Sequence, residues 1–140
     1  MAIELTELSH TFVYTAANVT TSLFVVLVVV QILIGVGILP ISIVWGGRQT
    51  ELTPALRIAS VVAAIILGGF IYIIRYRAGL VGNGSIPNVI WLGSWVVTAY
   101  MALNTVGNLA SVSNTERWLF GPMTFVLTIS CLIISASSVT

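Results

Sequence analysis

A chain of 140 residues with 58% hydrophobic and 6% charged side chains cannot be an ordinary soluble globule; it belongs in a bilayer. A net charge of +1 gives no basis for a nucleic-acid partner or an anionic surface partner. The single histidine, His10, excludes a haem held by two histidines within one chain, and no metal-ligand cluster is expected.

The ionisable side chains fall into clusters: Glu4, Glu7 and His10, then Arg48, Glu51 and Arg57, then Arg75 and Arg77, then Glu116 and Arg117. Thr11 to Gly47 carries no charge at all, and neither does Ala78 to Thr115. A hydrocarbon core about 30 Å thick needs about 20 apolar residues per helical crossing. Four apolar tracts lie between and beyond the clusters, which predicts an all-α, four-helix transmembrane bundle in one domain, residues 1–140. A β-barrel would require short alternating strands, whereas Leu23–Val30 and Ile58–Ile74 are continuously apolar.

The first helix is expected at about 17–45. Ser9 or Thr11 could open an earlier, interfacial turn. Pro40 should bend the helix, and Gly46-Gly47 should end it with Trp45 at headgroup level. The acidic N-terminus does not look like the basic start of a cleavable signal peptide. The second helix is expected at 54–77. Thr53 can cap it, Pro54 suits its first position, and Arg75 and Arg77 complement the negative end of its dipole. Ser60, Ala64 and Gly68 recur every fourth residue on it, a spacing that lets another helix approach closely.

A Gly, Asn and Ser-rich turn over Gly79–Pro87 leads to a third helix at about 87–110. Tyr100, Asn104, Asn108 and Ser111 share one side of it. An amide in hydrocarbon is costly unless paired, so this side should look inward, either to bond another helix or to line a polar cavity or ligand site. Gln31, in the first helix, is a candidate partner. Ser113-Asn114-Thr115-Glu116 has the spacing of a capping box and should open a fourth helix at about 114–137, with an interfacial first segment, a kink at Gly121-Pro122 and then the crossing. Glu116 is read here as a cap. No Asp, Glu or Lys is expected within a crossing, which weighs against a proton-coupled transporter.

The elements Trp45-Gly46-Gly47, Leu56-Arg57-Ile58-Ala59-Ser60, Ala99-Tyr100-Met101-Ala102-Leu103, Asn108-Leu109-Ala110-Ser111 and Ser113-Asn114-Thr115-Glu116-Arg117 precede Gly121-Pro122. In this order they resemble a family of small four-helix integral membrane proteins widespread in bacteria, over residues 45–125. The resemblance implies four helices and carries no activity and no site residues.

Function is less legible than fold. There is no catalytic motif, no metal site and no cofactor site, and Cys131 is read as an apolar filler. The expectation is a non-enzymatic subunit that packs against other transmembrane subunits or against itself, in contact with membrane lipids. A small oligomeric channel or transporter lined by the polar face of the third helix is the alternative. A quinone-, lipid- or haem-binding subunit is the third reading. Four crossings put both termini on one side, and the Arg balance between loops favours the non-cytoplasmic side.

Overall fold

A computed structural model describes residues 1–138 of the chain. Its helices are α1 (Ala2–Gly35), α2 (Pro54–Arg77), α3 (Asn88–Leu109) and α4 (Gly121–Ala136), with a π turn over Glu116–Phe120 leading into α4. Four segments, Ser9–Gly35, Pro54–Arg77, Asn88–Leu109 and Glu116–Ala136, are long and apolar enough to cross a membrane. No strand occurs among the described residues. The architecture is an all-α, four-helix transmembrane bundle.

α1 departs from the sequence expectation at both ends. It begins at Ala2, because no breaker lies between there and Gly35 and Glu4 suits the positive end of the helix dipole. It stops at Gly35, well before Pro40. Gly37 adopts φ +87°, and the amides of Gly37 and Ile38 turn back to the carbonyls of Ile34 and Leu33, both within 3.0 Å. This is a Schellman closure, which satisfies the last carbonyls of a helix through a left-handed residue that glycine adopts without strain. Residues 36–53 then form a long loop with two 3₁₀ turns, Ile41–Ile43 and Trp45–Gly47.

α2 opens where Thr53 accepts from the Leu56 amide at 3.3 Å. It closes at Gly79 by the same pair of reversed bonds, Gly79 N–H to Tyr76 and Leu80 N–H to Arg75. The π turn has Gly121 N–H bonded back to the Glu116 carbonyl. Pro122 follows with no N–H to give, so the ladder is already interrupted there and a wide turn is tolerated.

The helices run alternately up and down. Arg75, near the end of α2, donates to Asn18 and Thr21 of α1 at 3.3 and 3.2 Å. The turns of α1 before Asn18 therefore reach past the end of α2. Arg77 donates to the carbonyls of Ser135 and Ser137 at the end of α4. At the opposite end, Ser113 donates to the Ile43 carbonyl at 3.3 Å, so the 36–53 loop and the 110–115 connection are docked on each other.

Arginine is the sole cation type in this chain, and its placement has a physical reason. Arg57 donates to the Gly35 carbonyl at 3.4 Å, Arg117 to the Ser111 carbonyl at 2.7 Å, and Arg77 to the end of α4. The C-termini of α1 and α4 thus each receive a guanidinium from elsewhere in the chain, and a third guanidinium is held on the turn that follows α3. The dipole there is negative, the last carbonyls lack intrahelical partners, and a planar, weakly hydrated fork with several donors can serve them where a compact ammonium cannot.

The core lies among all four helices and is built on Phe24, Leu67, Ile74, Met101, Leu127 and Ile134. Phe24, Phe70 and Tyr100 form an edge-to-face series across α1, α2 and α3, with ring centroids 6.0 and 5.4 Å apart. α3 and α4 are joined by a polar seam: Thr98 to Ser135 at 3.1 Å, Thr105 to Thr128 at 3.2 Å and Asn108 to Thr124 at 3.2 Å. Outward, residues such as Val25, Ile32, Ile65, Leu92, Val96 and Val106 are exposed. They make the apolar exterior that a hydrocarbon solvent requires.

Candidate functional site

α1 packs along α2, and α3 along α4, but α2 and α3 touch only sparingly. The aromatic pair Phe70–Tyr100 bridges them on one side. Nearer the 36–53 loop they part around small side chains, Ala59 and Ala63 on α2 and Gly107 on α3. The gap is a cleft of about 670 Å³, inside the range of about 300–1,000 Å³ common for small-molecule sites. Its apolar wall comes from Leu27 and Val30 of α1 and from Val62, Ile66 and Leu67 of α2.

Polar groups converge in it from α1 and α3. Gln31 of α1 lines the cleft, and its Oε1 is buried without a hydrogen-bond partner. Asn104 lines it half-buried and makes no side-chain hydrogen bond among the described residues. Asn108, 8% exposed, gives its Nδ2–H to the Thr124 hydroxyl, while its Oδ1 takes no bond from the chain. Tyr100 lines the outer edge and is 48% exposed.

Of the polar positions singled out in the sequence, Tyr100, Asn104, Asn108 and Gln31 are thus brought together in one cleft. Ser111 lies beyond it, buried, and donates to Glu116 Oε2. Helix 3 therefore divides its polar work. Asn108 bonds α4 and also lines the cleft, whereas Asn104 lines the cleft alone. On α2, Ser60 and Ala64 are buried, and a Cβ added at Gly35 of α1 would lie 3.8 Å from Ser60 Cβ. Gly68, the third member of that stripe, is exposed, with nothing within 4 Å of an added Cβ.

Glu116 is the residue that sequence reasoning misplaced. It is not an exposed cap but is 6% exposed, lines the cleft and begins a crossing segment. A carboxylate is therefore present at the edge of the candidate span, ahead of the Gly121-Pro122 step. Half of the capping box forms, the Glu116 amide donating to Ser113 Oγ at 3.3 Å. The reciprocal half does not. The carboxylate instead accepts from Gly46 N–H at 3.2 Å and from the Ser111 hydroxyl, and the Ser113 amide turns to Ser111 Oγ at 3.0 Å. No cation pairs with Glu116 among the described residues, since Arg117 is held on the Ser111 carbonyl.

The loop that covers Glu116 is held in an uncommon shape. Trp45, Gly46 and Gly47 take φ of 56°, 80° and 73°, and for a bulky residue such as Trp a positive φ is an outlier. Such geometry persists where the surroundings over-determine it, and it clusters at ligand clamps. A π turn, here starting at Glu116, also recurs at functional sites. Trp45, Gly46 and Glu116 all line the same cleft. The signal in the sequence is the Trp-Gly-Gly triplet, which forms this left-handed turn rather than the end of a helix. The seam hydroxyls of Thr98, Thr105, Thr124 and Thr128 gave no signal, because threonine on an apolar helix is unremarked until its partner is known.

No protein-family model, curated protein or solved structure matches the chain.

Proposed function

We propose that this is a multi-pass membrane protein whose lateral cleft binds a small amphiphilic molecule taken from the bilayer, without enzymatic turnover. One observation carries the reading: three amide side chains from two helices converge on a cleft with largely apolar walls and Glu116 at its edge, and Gln31 Oε1 and Asn104 are left without protein partners. A polar group without a partner inside hydrocarbon costs several kcal/mol. A guest with an apolar body and a hydrogen-bonding head would supply both the missing bonds and the missing packing. The sparing contact between α2 and α3 gives such a molecule a route from the lipid phase.

We further propose that both termini lie on the non-cytoplasmic side, because the end of the bundle bearing Arg48, Arg57 and Arg117 carries one cation more than the end bearing Arg75 and Arg77. The polar end of the cleft then lies in the cytoplasmic half. Native mass spectrometry of protein extracted in mild detergent tests the binding claim. The wild type is expected to retain a small molecule that the Gly107→Leu variant lacks, since an added side chain at 107 meets nothing within 4 Å and would fill the cleft. Equal retention by both would count against it.

A second reading, a subunit packed against other transmembrane helices or a second copy, draws on Gly68 and Gly69. Both are exposed and open to close approach. Replacing both by Leu would strip a co-purifying subunit if that reading holds.

A further inference from the structure

We infer that the occupant of the cleft is a cation, an amphiphile bearing an amine or other organic ammonium group, with Glu116 as its counter-charge. This rests on the reading of the cleft as a binding site. The charge balance carries it. Among the described residues Glu116 carries the one carboxyl group that lines the cavity, and no Lys, Arg or His lines it. The nearest cation in sequence, Arg117, is engaged with the Ser111 carbonyl.

A carboxylate has about four acceptor positions. Gly46 N–H and the Ser111 hydroxyl occupy two. Both are neutral donors, so they orient the group without cancelling its charge. A buried charge in a low-dielectric setting favours an opposite charge strongly. An ionisable residue in a membrane segment is in general paired or marks a ligand path.

The rest of the cleft fits the same head group. Gln31 Oε1 is an acceptor awaiting a donor, and Asn108 Oδ1 is a second. An ammonium is all donor and no acceptor. Trp45 and Tyr100 border the cavity, and aromatic faces attract ammonium groups. An anionic head would meet like charge at Glu116. A neutral head would leave the carboxylate unanswered.

The test uses full-length protein in lipid nanodiscs and three matched probes: 4-phenylbutylammonium, 4-phenylbutanol and 4-phenylbutanoate. Isothermal titration calorimetry, with empty nanodiscs subtracted, gives three affinities. The cation is expected to bind at least tenfold more tightly than the alcohol, and the carboxylate more weakly than either. Glu116→Gln is expected to bring the cation down to the level of the alcohol. Equal binding of cation and alcohol by the wild type would overturn the cation assignment and leave the cleft reading intact. That comparison needs no variant, so it decides the matter even if Glu116→Gln fails to fold. Binding by none of the three would overturn both.

Discussion

The backbone N–H of Gly46 and the carboxylate of Glu116 meet at 3.2 Å, 70 residues apart in the chain. The contact fastens the 36–53 loop over the entry to α4 and turns what would be a solvent-facing cap into a buried group beside a cleft. Its precondition is the left-handed course of Trp45, Gly46 and Gly47.

Gly47 should tolerate no side chain. A Cβ there would sit 2.7 Å from both Cβ and N of Ser113, and φ is already +73°. Gly47→Ala is expected to cost about 1–3 kcal/mol, read as a lower unfolding midpoint in detergent, with Trp45 emission shifted to the red as the loop lifts. An unchanged midpoint would mean that the loop is not docked as described.

Ser111 serves two partners, as donor to Glu116 and acceptor for the Ser113 amide. Ser111→Ala leaves both groups short of a bond inside the protein. The expected loss is about 1–3 kcal/mol, larger than for Ser85→Ala, whose hydroxyl bonds only Asn83 on an exposed turn. Equal effects of the two changes would refute the buried relay.

Asn104 and Asn108 should separate cleanly. Asn108→Leu removes a bond across the α3–α4 seam and should cost about 0.6 kcal/mol, and at most about 1.7. Asn104→Leu removes no protein bond, so stability should hold while retention of the bound molecule falls. Thermal unfolding and native mass spectrometry on the same preparations report the two quantities. The opposite assignment of effects would reverse the roles given to these residues.

Arg77 is expected to resist replacement by lysine. It is 4% exposed and gives hydrogen bonds to two carbonyls at the end of α4. Arg77→Lys keeps the charge but loses the fork, so a loss of about 1–3 kcal/mol is expected. A wild-type midpoint would show that charge alone suffices there.

The sequence spoke plainly where a local signal had no rival. Thr53-Pro54 and Gly79 set both ends of α2, and the apolar tracts between clustered charges fixed four crossings. α1 was harder. The hydrophobic tract continues past Gly35, and Pro40 and Gly46-Gly47 drew attention from the closure at Gly37. The polar face of α3 was readable from spacing, because amides on an apolar helix must find company. Glu116 was not. A carboxylate three residues after a serine has the spacing of a cap, and only the distant Trp45–Gly47 turn, folding over it, makes it a buried group. The seam between α3 and α4 depends on the rotation of two helices about each other, which no local pattern encodes.

Whether the α2–α3 cleft holds a guest can be read by photolabelling. An alkyl diazirine amphiphile, irradiated with the protein in nanodiscs and mapped by peptide mass spectrometry, tests this directly. Label is expected on cleft residues, chiefly Ala63, Ile66, Asn104 and Gly107, and is expected to vanish in Gly107→Leu. Label spread evenly over lipid-facing residues such as Ile58, Ile65 and Leu92, with no difference between wild type and variant, would contradict it.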